Sequence, residues 1–170
     1  MQQRLIILGL ILMANPLQAK NNKTVEEKVA KVFSTYVEKS CNSVLITRTD
    51  TRESSTEGAL VEFRTIVHCN NKPLLSITNT RTYDQYTTGM STAYYTTTFA
   101  ESQTEQFHQD DLKTIGAIRF QNLATQAVES LDYVKVQPST PNVHVQSDEE
   151  KSFEVKFERK NKATVSDDSI

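Results

Sequence analysis

The chain has 170 residues, of which 37% are apolar, 24% charged and 8% aromatic, and its formal net charge is -2. This length and composition suit one domain with one modest core, and they argue against a chain that is disordered throughout. With only 4 glycines and 4 prolines, the chain is neither collagen-like nor of low complexity, and its balanced charge gives no general attraction to nucleic acid.

The N-terminus has the features of a secretory signal peptide. Arg4 precedes the apolar run Leu5–Met13, which is followed by a break at Pro16 and by the small residue Ala19. A positive charge, a short apolar core, a breaker and a small residue, in that order, are typical of a cleaved export signal. The apolar run would span only about 14 Å as a helix, whereas the hydrocarbon core of a bilayer is ~30 Å thick. The sequence therefore predicts a signal peptide over 1–19 and an exported chain, in the bacterial periplasm or the extracellular space.

A capping box predicts the start of the first helix of the mature chain. The Thr24 hydroxyl can accept from a free backbone N–H of the first turn, and Glu27 can reach back to the N–H of Thr24. Residues 20–23 are then expected to be a solvated leader. Apolar residues follow at helical spacing to about Lys39 and predict an amphipathic helix that needs a partner surface: Val25, Val29, Val32, Phe33, Tyr36 and Val37.

The periodicity then changes from helical to alternating. β-Branched segments separated by polar links predict strands, and residues 70–73 (NNKP) have the composition of a turn. The sequence predicts a four-stranded antiparallel meander over Ser43–Thr49, Ala59–Cys69, Leu74–Tyr83 and Met90–Ala100.

The two cysteines, Cys41 and Cys69, are predicted to form a disulfide. An exported chain with two cysteines most simply pairs them, and their spacing is not that of a zinc site. Two free buried thiols are the alternative. If the first hairpin turns near Ser54–Ser55, its hydrophobic pattern places Cys41 directly opposite Cys69, which is a second and separate argument for the pair.

Helical periodicity returns from about Asp110 and predicts a second helix, whose middle Gly116 weakens, so that its first half could instead be a short strand. The apolar stripe comprises Leu112, Ile115, Phe120, Leu123, Ala124, Ala127, Val128 and Leu131, with Gln121 outside it. Short alternating segments follow at Tyr133–Gln137, Asn142–Gln146 and Ser152–Arg159. The order predicts an α+β domain over 20–159, with the helices packed on one face of an antiparallel sheet, and a disordered tail over 160–170.

No catalytic, metal-binding or cofactor-binding motif is recognisable. The three histidines, His68, His108 and His144, are scattered and form no HExxH pattern. The chain has no GxSxG or SxxK nucleophile motif and no phosphate-binding glycine loop. Asp110 and Asp111 fit the start of a helix, where acidic side chains are stabilising. We therefore predict no catalytic residues, no metal and no cofactor.

The most unusual composition is the alternation of threonine with tyrosine in the fourth predicted strand. Thr92, Tyr94, Thr96 and Thr98 share one face of a regular strand and form the candidate binding surface. Tyr95 shares the other, more apolar face with Phe99 and is expected to pack inward. The plainer interpretation is a solvated sheet face, because threonine and tyrosine are simply good strand formers.

Taken together, these patterns favour an exported, non-catalytic protein that acts by contact with another protein or an extracellular macromolecule. Nucleic acid is not an expected partner, and no membrane span is expected after cleavage. The alternatives are a small exported hydrolase that uses histidine and carboxylate chemistry, and a carrier of a small apolar ligand held between helix and sheet.

The first testable prediction concerns processing. Cleavage after Ala19 should give a mature chain that begins at Lys20, because the small residue stands at the expected distance from the apolar core. N-terminal sequencing of the exported protein checks this. Intact Met1 on protein recovered from the membrane fraction would contradict it.

Overall fold

The computed structural model describes residues 16–55, 58–84, 94–137 and 150–161. Within these ranges the chain forms three helices and one six-stranded antiparallel sheet, which confirms the α+β class. The helices are α1 (Pro16–Ser40), α2 (Gln109–Ile115) and α3 (Ala117–Glu129). The strands are β1 (Ser43–Ser55), β2 (Gly58–Cys69), β3 (Lys72–Asp84), β4 (Tyr94–Ser102), β5 (Tyr133–Val136) and β6 (Glu150–Arg159).

Helix α1 begins earlier than the capping box indicates. In the full-length chain the helix runs without a break from Pro16 through Thr24, so the predicted start at Thr24 and the leader over 20–23 are wrong here. The predicted apolar stripe is correct: Val29, Phe33 and Val37 are buried in the core.

The strands lie in the sheet in the order β4-β3-β2-β1-β6-β5. The first four therefore form the predicted meander, and β6 adds to the free side of β1. Strand β1 extends well beyond its predicted end at Thr49, because its polar half pairs with the first half of β2, as Arg52 does with Val61. The β2–β3 turn is tight, with Asn70 and Asn71 both at positive φ, as two-residue hairpin loops require.

The disulfide between Cys41 and Cys69 is present, with the two Cα atoms 5.3 Å apart. The register that helped to predict it is wrong, however, because Cys69 pairs across the hairpin with Val44 and not with Cys41. Cys41 lies just after α1 and before β1 begins. The disulfide thus joins the end of the first helix to the end of β2.

Gly116 separates α2 from α3, so the alternative of a strand in this region is wrong. The φ of Gly116 is +79°, and a Cβ there would lie 3.1 Å from Oδ1 of Asn79. That oxygen accepts from the backbone N–H of Ala117 at 2.6 Å, and Thr65 Oγ1 donates to the carbonyl of Ala117 at 2.8 Å. Two polar side chains of the sheet therefore fix the start of α3, and the break requires a residue without a Cβ.

The core lies between the helices and one face of the sheet. The rings of Phe33 and Phe120 meet edge to face with their centroids 5.7 Å apart, and Phe107 packs against Phe33 at 6.4 Å. Gln121, which the sequence places outside the apolar stripe, is buried. Its Oε1 accepts from Arg48 Nη1 at 3.1 Å, and that bond satisfies the amide oxygen inside the core.

The C-terminal end of α1 is held by side chains from distant parts of the chain. The Tyr133 hydroxyl lies 2.5 Å from the carbonyl oxygen of Cys41 and 2.9 Å from that of Val37, and these two oxygens share its proton. Arg159 Nη2 donates to the carbonyls of Glu38 at 2.5 Å and Cys41 at 3.0 Å. Burial raises the pKa of Tyr133 above 10.0, outweighing the nearby Arg159 guanidinium, which lowers it. The phenol therefore remains a donor at neutral pH.

Asn70 completes this junction from the β2–β3 turn. Its Nδ2 donates to the carbonyl of Ser40 at 2.9 Å, and its Oδ1 accepts from the backbone N–H of Asn42 at 2.7 Å and of Ser43 at 3.2 Å. One turn residue thus binds the chain on both sides of Cys41.

Several predictions lie outside the described residues. These are the apolar core of the signal peptide, the strand predicted at Asn142–Gln146, and all of the predicted tail beyond Asn161.

The second testable prediction concerns the disulfide. The double variant Cys41→Ala/Cys69→Ala should lower the free energy of unfolding by about 3–4 kcal/mol, because the unfolded chain is no longer closed into a loop over the 28-residue separation. Urea denaturation followed by circular dichroism measures the loss. Reduction of the unmodified protein is the control and should give a similar loss, whereas a difference below about 1 kcal/mol would contradict the chain-entropy account.

Candidate functional site

The face of the sheet opposite to the helices is the candidate site. The register aligns its side chains in rows across β4, β3 and β2: Tyr95 with Thr82 and Leu60, Thr97 with Thr80 and Glu62, Phe99 with Thr78 and Arg64, and Glu101 with Ser76 and Ile66. We call these twelve residues the open face.

Two aromatic side chains dominate the open face near its edge. Tyr95 is 71% exposed and Phe99 is 62% exposed, and Leu60 in the same row as Tyr95 is 37% exposed. Residues of one strand that are two or four apart point to the same face, so the two rings lie on either side of Thr97. Three large exposed apolar side chains on one sheet face make this face a candidate for contact with another molecule.

The sequence-based assignment of faces in β4 is wrong for Tyr95, which was expected to pack inward. The helices cover the opposite face, which carries Thr98 and Ala100. Thr98 there has a structural role, because its Oγ1 accepts from Asn79 Nδ2 at 2.8 Å, and Asn79 in turn holds the start of α3. An internal hydrogen bond thus engages the Thr98 hydroxyl on the helix side of β4, and the aromatic side chains on the other side are exposed.

The structure describes the positions of only some of the four residues in the candidate binding surface. Thr96 and Thr98 lie on the helix side of β4, opposite Arg81 and Asn79 respectively. The backbone of Tyr94 pairs with that of Tyr83 at the end of the strand. Thr92 lies outside the described residues. As a binding surface this set stays a prediction.

The open face carries little net charge. Arg64 Nη2 lies 3.1 Å from Glu62 Oε1 within the same strand, and the two charges compensate each other. Most of the remaining side chains are hydroxyl groups. A partner would therefore meet hydroxyls and aromatic rings and not a charged field, which is unlike the basic surface of a nucleic-acid-binding protein.

A shallow hollow of about 510 Å³ lies at one end of the open face. The residues that line it include Arg64, Thr78, Phe99, Glu101 and Gln109. It offers both donors and acceptors beside the exposed ring of Phe99. Such a hollow can receive one protruding side chain of a partner.

Two other hollows belong to contacts between secondary-structure elements. One, of about 520 Å³, lies between α1 and α3 beside the ion pair of Glu26 with Arg119. The other, of about 690 Å³, lies beside Tyr133 and Arg159, whose polar groups already bind the end of α1. Charged and polar residues outnumber apolar ones in the lining of both hollows, whereas pockets for small apolar ligands are lined predominantly by hydrophobic side chains.

The histidines do not form a catalytic group in the described part of the chain. His108 is exposed at the start of α2, where Asp110 and Asp111 occupy the first turn as predicted. Asp111 bonds to Lys28 at 3.0 Å. His68 lies on β2, distant from His108 in the sequence. His144 is outside the described residues. The part of the chain that the structure describes contains no group of three or more His, Cys, Asp or Glu residues able to hold a metal.

Among the described helices, none has both the length and the apolar character needed to cross a bilayer. Searches of protein-family models, curated proteins and solved structures find no match to this chain.

The third testable prediction concerns the exposed aromatic residues. Tyr95→Ala and Phe99→Ala should each change the free energy of unfolding by less than about 1 kcal/mol, because neither ring is part of the core. Ile77→Ala on the neighbouring strand is the control. Ile77 is fully buried, so its truncation should cost about 2–5 kcal/mol. Thermal and urea unfolding of the three variants measure this, and a core-like loss at Tyr95 would refute the face assignment.

Proposed function

We propose that this chain is an exported, non-catalytic binding protein that contacts another protein through the open face. The observation that carries the proposal is the exposure of Tyr95 and Phe99 on a sheet face that the helices leave uncovered. Aromatic residues are enriched in protein interfaces, where they supply a large apolar area with few rotatable bonds.

The chemistry around the rings supports a protein partner. Protein interfaces combine exposed apolar and aromatic anchors with a polar rim. Here Tyr95, Phe99 and Leu60 supply the apolar side chains, and the threonines of β3 and β4 lie between and beside them. The hollow beside Phe99 offers one pocket for a side chain from the partner.

Export is part of the proposal and rests on two features. The N-terminal pattern is that of a signal peptide. The disulfide between Cys41 and Cys69 is of a kind that forms and persists in oxidising compartments such as the periplasm and extracellular space.

The fourth testable prediction is a binding experiment. Exported protein at nanomolar concentration is used to capture partners from the extracellular or periplasmic fraction, and the captured species is identified by mass spectrometry. Its affinity is then measured with purified components. Tyr95→Ala and Leu60→Ser should each weaken binding by about 10-fold or more, as is typical when an interface anchor is truncated.

Phe153→Ala is the matched control. Phe153 also has an exposed aromatic ring, and its replacement by alanine removes a side chain of similar size. It lies on β6 opposite Arg48, away from the open face. Its replacement should leave the affinity unchanged. Equal losses at all three positions would refute the open face as the site, and capture of a polysaccharide that depends on Tyr95 would refute a protein partner.

A further inference from the structure

Strand β4 is one of the two edges of the described sheet. Gln103 N donates to the carbonyl of Leu74 at 2.8 Å, and hydrogen-bonded pairs alternate along an antiparallel ladder. It follows from the register that the backbone groups of Tyr95, Thr97 and Phe99 point toward β3. Those of Thr96, Thr98 and Ala100 point away from it, toward the edge.

The two edges of the sheet differ in how they are protected. At the far edge, β5 has only four residues, and one of them is the exposed Lys135. Short length and lysine are the usual means of preventing an edge from pairing with another strand. Strand β4 has nine residues, has neither lysine nor proline, and pairs with β3 without a register shift. Its single charge is Glu101, near the end.

We propose that the edge of β4 pairs antiparallel with β4 of a second copy of this chain. The two-fold axis would pass between the two Thr97 residues. In this register Tyr95 of each copy lies opposite Phe99 of the other on the open side, while Thr96 lies opposite Thr98 on the helix side. The pairs at Thr96 and Thr98 are the hydrogen-bonded ones, because their backbone groups point outward.

The aromatic side chains favour this register over its neighbours. Aromatic pairs and threonine pairs across two strands are both stabilising. A two-fold axis at Thr98 would place Tyr95 opposite Glu101 and form no aromatic pair. An axis at Phe99 would form one aromatic pair, leave Tyr95 outside and place Thr97 opposite Glu101. The axis at Thr97 forms two aromatic pairs and opposes no like charges among the described residues.

Such a dimer would have one continuous sheet across both copies, with the two open faces side by side. This inference goes beyond the proposed function, because it concerns the edge of β4 and holds even if the open face binds no other protein. The area that the described strands alone would bury is small compared with the roughly 1,200 Å² at the lower end of standard interfaces. We therefore expect weak association, with a Kd on the order of tens to hundreds of micromolar.

The test is sedimentation equilibrium of the exported protein alone, from about 5 µM to 1 mM. Thr97→Lys and Thr97→Glu should each weaken self-association about 10-fold or more, because each places like charges directly opposite each other at the two-fold axis. An equimolar mixture of the two variants should associate at least as strongly as the unmodified protein. That recovery is specific to a contact in which residue 97 meets residue 97.

Thr80→Lys is the matched control. Thr80 is the neighbour of Thr97 on β3 and lies opposite Glu62 on its other side, so the same charge stands on the same face but one strand away from the edge. It should leave the Kd within about 3-fold of the unmodified value.

Four results would overturn the proposal. These are a protein that stays monomeric to 1 mM, Thr97 variants that associate like the unmodified protein, a mixture that fails to recover, and a Thr97→Lys variant that associates more strongly. The last would indicate a register with residue 97 opposite Glu101. Because no partner protein is present, a negative result here leaves the binding experiment with the open face unaffected.

Discussion

The last turn of α1 leaves backbone carbonyl groups without helical partners, and it does so where the chain enters the sheet. Tyr133 from β5 and Arg159 from β6 bind these carbonyls, and Asn70 binds the chain on both sides of Cys41. The disulfide lies at the same point. Three distant segments, namely β5, β6 and the β2–β3 turn with Cys69 beside it, thus hold one helix end, and this fixes α1 on a single face of the sheet.

The arrangement of the helices decides what each face of the sheet can do. On the covered face the polar groups have internal partners, since Thr65 and Asn79 bind the start of α3 and Arg48 binds Gln121. On the other face the side chains of β2–β4 have no helix above them in the described structure. The rings of Tyr95 and Phe99 are therefore left for contacts outside the domain, and the two proposals use them in different ways.

The sequence predicted the structure correctly where apolar residues recur at a regular spacing and their side chains are buried. The apolar stripe of α1 could be predicted because it follows from local periodicity, and Gly116 could be predicted to weaken the helical region. The complete break into α2 and α3 depends also on Asn79, which lies on another strand. The faces of β4 could not be predicted, because Thr98 is satisfied by Asn79, a residue on another strand whose role depends on α3. The burial of Gln121 could not be predicted for the same reason, because its hydrogen-bond partner is Arg48 on a distant strand. The disulfide was predicted correctly because an exported chain with two cysteines most simply pairs them. The register offered in its support is wrong, because Cys41 reaches Cys69 from the helix end and not from the strand.

The position of β6 has a consequence for the order in which the sheet can be completed. β1 is an interior strand, yet its second neighbour is β6, which ends at Arg159 near the C-terminus. During synthesis or translocation β1 can pair with β2 early, whereas its other side stays unpaired until β6 emerges, after β2 to β5 and both α2 and α3. The carbonyls of α1 also wait for Arg159. Until then the growing chain presents an unpaired interior strand. Such exposed strand edges are bound by chaperones and are also sites at which aggregation begins.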